Sequence, residues 1–188
     1  ATEKWNGTSW TEVANLNTAR AKIGPFGTQT AAIAAGGSAP GFVDNVESFD
    51  GTNWTEIADI NTTRGELAGA GIQTSGLAVG GDTSPGNSAN TELWDGSSWT
   101  EVANLNTARR NVWATGRTDY NSALICGGKA GTTNQAITEQ WDGTAWTEVA
   151  DIGTAAQNLA MAGGVTSALS GGGYGTAASA VTQEWDFT

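Results

Sequence analysis

Apolar residues come in short runs along this chain, separated by Gly, Asn and Asp, and no window carries them at a helical period. One run keeps returning. Ser9-Trp10-Thr11-Glu12-Val13-Ala14 reappears as Asn53-Trp54-Thr55-Glu56-Ile57-Ala58, then from Ser98 to Ala103 and from Ala145 to Ala150. The four anchoring residues, Trp10, Trp54, Trp99 and Trp146, are 44, 45 and 47 residues apart. Five residues before each stands another aromatic, Trp5, Phe49, Trp94 and Trp141, and Trp185 comes last without a following partner. The residues between each pair include Asn6-Gly7, Asp50-Gly51, Asp95-Gly96 and Asp142-Gly143. Asn-Gly and Asp-Gly tolerate positive φ, so each reads as a hairpin turn between two strands.

Downstream of each Trp the chain reads Asn-Thr-Ala-Arg or a close variant, ending at Arg20, Arg64 and Arg109; the fourth copy has Ala156 at that position. Two strands of small residues follow, and the second ends in a glycine pair: Gly36-Gly37, Gly80-Gly81, Gly127-Gly128 and Gly172-Gly173. Each period of roughly 45 residues therefore holds four strands. In the first complete copy these are predicted near 21–28, 30–37, 43–50 and 53–60. Four antiparallel strands at this period predict an all-β fold, a four-bladed β-propeller occupying residues 1–188 as one domain.

Residue size fits that architecture. A lone four-stranded sheet cannot bury both faces, whereas sheets stacked around an axis cover one another. Small residues belong near the axis, as in Ala31-Ala32-Ile33-Ala34-Ala35, Gly76-Leu77-Ala78-Val79 and Ala160-Met161-Ala162-Gly163, and the Trp residues belong where the wedge opens outward. Trp5, Trp10, Trp54, Trp94, Trp99, Trp141, Trp146 and Trp185, the four glycine pairs, and Arg20, Arg64 and Arg109 are thus expected to be structural. The chain opens in mid-repeat, with Thr2–Trp5 and Trp10–Ala14 as third and fourth strands, and it ends with a first, second and third strand. Pairing the N- and C-terminal strands closes the ring but leaves one third-type strand too many. That surplus either displaces an end or pairs outside the ring, giving a homo-oligomer by strand addition. The missing initiator Met and the mid-repeat start point to a processed product, a fragment or a designed protein.

The glycine pair, the two aromatics bracketing a turn, and an Arg opening the next blade resemble the kelch repeat over the whole chain. The aromatics stand five apart here, and Trp often occupies positions where Tyr is commoner. The wording Gly-Thr-Ser-Trp-Thr-Glu-Val-Ala-Asn-Leu-Asn-Thr-Ala-Arg is similar to a narrower group, the kelch-like repeat proteins of marine phages and environmental metagenomes. That resemblance implies a virion or tail-fibre role, with localisation in the virion or outside the cell. Partners would be other virion proteins or a host-surface glycan or protein. It also implies that the repeated Arg bonds loop carbonyls between blades.

Composition narrows the chemistry. Nineteen carboxylates face eight Lys and Arg, with no His, for a net charge of −11. That balance argues against a phosphate backbone as partner, so no nucleic acid is expected. No stretch approaches the roughly 18 apolar residues of a membrane span, and no signal peptide is expected. The single cysteine, Cys126, lies in an apolar run and reads as a small packing residue. Without His there is no Ser-His-Asp or Cys-His machinery, and the commonest transition-metal ligand is absent. A copper-radical propeller oxidase of the kelch type needs His as well as Tyr, and only Tyr120 and Tyr174 are present. Asp59, Asp82 and Asp151 lack the alternating spacing of a calcium loop. Glu12, Glu56, Glu101 and Glu148 recur on fourth strands, and Glu47, Glu92, Glu139 and Glu184 on third strands. Carboxylates that recur with the repeat read as structural or as a solvated outer face, not as a catalytic pair. No cofactor and no enzymatic activity are expected.

Breaks in the repeat point to function. In register, Trp113 stands where the other copies have Gly24, Ala68 and Ala160, and Arg110, Arg117 and Tyr120 gather around it. A Trp among small residues near the axis either plugs the channel or lines a pocket, and sugar rings stack on such surfaces. The loops after the glycine pairs vary in length and sequence and lie on one face of the ring. Phe42 and Tyr174 are the candidate contact residues there.

Overall fold

Within each blade most strands reverse at a positive-φ glycine or an Asx turn, and the sheets follow from those reversals. The computed structural model describes residues 1–116 and 121–186. The strands β1 (Thr2–Trp5) and β2 (Trp10–Val13) form a hairpin of their own. Blade 1 comprises β3 (Gly24–Thr28), β4 (Ala31–Ala39), β5 (Gly41–Phe49) and β6 (Trp54–Glu56). Blade 2 comprises β7 (Ala68–Ile72), β8 (Ser75–Val79), β9 (Thr91–Trp94) and β10 (Trp99–Val102). Blade 3 begins with β11 (Trp113–Thr115) and β12 (Ala123–Cys126). Its surface loop carries a small hairpin, β13 (Lys129–Ala130) with β14 (Thr133–Asn134). It ends with β15 (Thr138–Trp141) and β16 (Trp146–Val149). Blade 4 has three strands, β17 (Ala160–Gly163), β18 (Ser167–Gly171) and β19 (Thr182–Asp186). All pairings are antiparallel between neighbours, no helix occurs among the described residues, and the sheets are arranged as a four-bladed β-propeller.

The four turns between third and fourth strands share one device. In the first complete copy the Asp50 carboxylate accepts the N–H groups of Thr52 and Asn53, both at 2.7 Å, and Gly51 follows at φ 95°. Asn6 does the same job with its amide oxygen in the N-terminal hairpin. Each turn brings two aromatics together across the strand pair, tilted by 35–45° with ring centroids 5.0–5.5 Å apart.

Those aromatic pairs fill the seams between blades. Trp94 and Trp99 of blade 2 pack against Phe26, Ile33 and Val46 of blade 1. Trp141 and Trp146 of blade 3 pack against Leu77 and Val79 of blade 2. All four are 7% exposed or less. Burying an indole removes roughly 150–250 Å² from water, several kcal/mol at about 25 cal/mol per Å². The seam between blades 3 and 4 is thinner: Cys126, Ala156 and Leu159, with Ile152 and Met161 beside them. Cys126 is buried there, and burial raises its thiol to about 11, with Arg109 pulling it partly back.

The glycine pairs stitch the seams. Gly37, Gly81 and Gly128 donate their N–H groups to the carbonyls of Arg64, Arg109 and Ala156 on the next blade, at 3.0, 2.9 and 2.8 Å. A Cβ on Gly36 would stand 2.6 Å from the Arg64 carbonyl oxygen, which is why no side chain is tolerated. Among the described residues the fourth pair, Gly172-Gly173, makes no such bond.

The third-strand carboxylates are structural and not solvated. Glu47, Glu92 and Glu139 are 1% exposed or less, each paired with the Arg that opens its own blade: Arg20, Arg64 and Arg109. Each carboxylate also accepts backbone N–H from the loop that enters the blade, as Glu92 does from Asn61 at 2.6 Å and Thr62 at 3.3 Å. Each Arg bonds strand and loop carbonyls of the blade it opens, as Arg64 does with Gly80, Asn90 and Ala78. Burial lowers the Arg64 pKa to about 10, against the pull of Glu92. In the first copy burial raises the Glu47 carboxyl, but the Asn17 N–H, Arg20 and the Thr18 N–H outweigh it and hold it below the usual range. The fourth-strand Glu12, Glu56, Glu101 and Glu148 are exposed, a solvated face.

Blade 4 corrects one assignment. Trp185 pairs with Ala168 as Trp141 pairs with Ala123, so the counterpart of Glu139 is Gln183, not Glu184, which lies on the opposite face. Gln183 keeps the loop bond, accepting the N–H of Gly153. Blade 4 has thus lost both members of the ion pair together, Arg to Ala156 and Glu to Gln183. Losing only one would strand a buried charge.

Two measurements test these assignments. Arg109→Ala should cost about 3–5 kcal/mol in urea unfolding, and adding Glu139→Gln should recover much of the loss; a double variant no more stable than the single one would refute the pairing. The Ser97 hydroxyl first, then the Ser98 and Ser97 N–H groups, lower Asp95 from 3.8 to about 2. Its contribution is present above 3.8 and disappears as pH falls towards 2, so Asp95→Asn, which keeps the turn as Asn6 does, should flatten acid unfolding across that window.

Candidate binding cleft on the propeller axis

The first strands of the blades line the axis, and their small residues leave room between them. A cleft of about 430 Å³ runs there, walled by Pro25 and Ala34 of blade 1, Gly69 of blade 2, Trp113 of blade 3 and Met161 of blade 4. Trp113 opens β11, as Gly24, Ala68 and Ala160 open β3, β7 and β17, and it is 47% exposed. The first of these positions has no such room: a Cβ on Gly24 would come within 2.9 Å of Leu67.

One rim of the cleft is a backbone ladder. Lys22, Glu66, Asn111 and Asn158 occupy the same place in successive blades, with φ of 58°, 58°, 53° and 56°. The Glu66 N–H donates to the Lys22 carbonyl at 2.9 Å, Asn111 to Glu66 at 2.9 Å, and Asn158 to Asn111 at 3.0 Å. The left-handed backbone turns each N–H towards the preceding blade. At non-glycine residues this conformation is uncommon and favours Asn.

The side chains on this rim form one chain of charge. Lys22 Nζ lies 2.5 Å from Glu66 Oε1, Arg110 Nε lies 3.4 Å from Glu66 Oε2, and Arg110 reaches Asp82 Oδ2 at 2.5 Å. Arg110 also donates to Asn87 Oδ1 at 3.3 Å. The guanidinium expected beside Trp113 is therefore neutralised at the rim, and the cleft below is apolar with amide edges.

The other candidates lie on the loop face. Phe42 packs over Gly65, and its ring centroid is 6.0 Å from Lys22 Nζ. Tyr174 is 49% exposed on blade 4, its backbone paired with Gln157 at 2.8 and 3.0 Å. Arg117 and Tyr120 lie outside the described residues. The sequence reading missed two clamps that tie neighbouring loops. Asn87 donates to the Lys129 carbonyl at 2.6 Å, and Asn134 to the carbonyls of Tyr174 and Gly175 at 3.1 and 2.8 Å. They sit in loops of irregular length, where the repeat offers no register to find them by.

The acidic residues weighed as metal ligands have other partners. Asp59 and Asp151 accept the N–H groups of Val46 and Thr138 at 3.3 Å, and Asp82 holds Arg110. Among the described residues no group of three His, Cys, Asp or Glu side chains comes together. Among the described residues no helix is long and apolar enough to cross a membrane.

Fold and cleft define the class as a β-propeller repeat protein with a Trp-lined axis. No protein-family model matches the chain, and no curated protein matches it in sequence.

Proposed function

We propose that this chain is a non-enzymatic kelch-like propeller that recognises a glycan or protein on a host surface and works in a virion or tail assembly, or outside the cell. The supporting observation is Trp113. It sets a large aromatic, half-exposed, in the cleft on the axis beside the amide groups of the rim, the combination of apolar surface and a few polar groups that binding pockets use. Its face and the amide edges of Asn111 and Asn158 suit the apolar face and hydroxyls of a sugar ring. The loop face carrying Phe42 and Tyr174 extends the contact. The virion assignment rests on the wording of the repeat alone. The absence of enzymatic activity rests on the lack of His and on carboxylates that are ion-paired or solvated. A ligand-free structural scaffold is the rival reading, favoured by the neutralised Arg110 and the repeated Arg–Glu pairs.

A glycan array probed with the labelled chain decides between them. Binding should appear for a small set of sugars, and Trp113→Ala should weaken it about thirtyfold, the effect of removing a binding hot spot of about 2 kcal/mol, with an unchanged circular dichroism spectrum. Uniform silence favours the scaffold. Binding that ignores Trp113→Ala removes the cleft from the account.

A further inference from the structure

The seam between blades 3 and 4 holds a cavity of about 100 Å³. Its blade-3 side is built from the counterparts of residues that surround an indole one seam earlier, and its blade-4 side includes Met161, Ala168 and, on β19, Trp185. Between blades 2 and 3, Trp146 packs among Leu77, Val79 and Leu105 and donates its indole N–H to Thr91 Oγ1 at 3.0 Å. One blade further on, the same places are held by Leu124, Cys126, Ile152 and Thr138, and all four line the cavity. Thr138 is 1% exposed, and its hydroxyl has no hydrogen-bond partner. An unpartnered buried hydroxyl costs about 1–3 kcal/mol. The seam between blades 2 and 3 shows what answers it: the N–H of a Trp on a fourth strand.

The chain carries such a strand elsewhere. The sequence of β2, Trp10-Thr11-Glu12-Val13, is also that of β10 and β16. Trp10 is 64% exposed and its neighbour Trp5 42%. The hairpin is bonded to blade 1 as the outer half of a preceding blade. Gln29 donates to the Trp5 carbonyl, as Gln73 of blade 2 donates to that of Phe49. Among the described residues no hydrogen bond joins the hairpin to β17, β18 or β19. At the far end, Gly172-Gly173 lacks its seam bond, and Leu169 and Val181 of blade 4 are 48% and 45% exposed. One end of the arc presents a Trp-bearing hairpin on the free face of blade 1. The other presents a three-stranded blade with the seam cavity beside it and an uncovered face.

We infer that these ends meet between copies. The hairpin of a second copy completes blade 4: its β1 takes the place on β18 that β19 holds, and its Trp10 enters the cavity with the indole N–H on Thr138 Oγ1. Blade 1 of that copy then covers the exposed face of blade 4. The contact joins two different surfaces of the same chain, so it is head-to-tail and can repeat.

Sedimentation velocity on the 188-residue chain across a wide concentration range tests this. The expected result is a mass that rises with concentration, an association that Trp10→Ala and Thr138→Val each weaken about tenfold, and a double variant no weaker than either. Thermal unfolding adds a sign change. In dilute solution Thr138→Val removes an unpartnered hydroxyl and should raise the midpoint; at high concentration it removes the bond to Trp10 and should lower it. A monomeric mass throughout, or a Thr138→Val effect of one sign, overturns the inference. So does coupling between Trp10→Ala and Thr138→Val that ignores concentration, because it would mean that the hairpin fills the cavity of its own chain.

Discussion

A four-stranded sheet with an aromatic pair on one face has to be covered by a neighbour, and the rest of the molecule is arranged around that need. The cover is made in two ways at once. Side chains fill the wide part of each seam, where Trp94 with Trp99, and Trp141 with Trp146, take up the space that opens outward. Backbone closes the narrow part in the first three blades, where the second glycine of the pair bonds the next blade's carbonyl and the first lies too close to that carbonyl for any side chain. The periodic glycines and tryptophans are thus two ends of one wedge. Neither has meaning without a following blade, and so the sequence has to repeat.

What the sequence made readable were the features that recur at fixed spacing. Strand positions came within a few residues, because the glycine pairs and Asx-Gly turns mark reversals the backbone cannot make otherwise. The burial of Glu47, Glu92 and Glu139 was not readable. A carboxylate two positions before an aromatic looks the same facing water as facing a buried guanidinium, and its Arg partner lies 27–30 residues earlier. One signal was available. Ala156 and Gln183 break the pattern in the same copy, and two charges lost together suggest two charges that had been in contact. Aligning on Trp185 would have shown it, whereas counting Glu184 as the repeat's carboxylate hid it.

The cleft was half legible for a similar reason. Trp113 is visible because it violates a periodic expectation at a known register. The fate of Arg110 is not, because its carboxylate partners Glu66 and Asp82 come from separate segments of the preceding repeat and meet only once blades 2 and 3 are stacked. The same stacking sets the left-handed residues at Lys22, Glu66, Asn111 and Asn158. Two of those are Asn, the residue most tolerant of that geometry after Gly, while Lys22 and Glu66 gave no warning.

Blade 4 shows how far the wedge can be thinned. It lacks the buried ion pair, a fourth strand among the described residues and the bond from its own glycine pair, yet it keeps the Gly128–Ala156 bond, Leu159 in the seam and the Gln183 contact to the entering loop. In an array where each unit touches only its neighbours, stability is nearly a sum of unit and seam terms. Blade 2 carries full seams on both sides, blade 3 shares its reduced seam with blade 4, and the polypeptide should open from that end first. The Arg–Glu pair is absent from the one blade whose surroundings are wettest, where a buried pair could not stay dry. Its replacement by a neutral pair follows from the same seam geometry that keeps the other three pairs sealed.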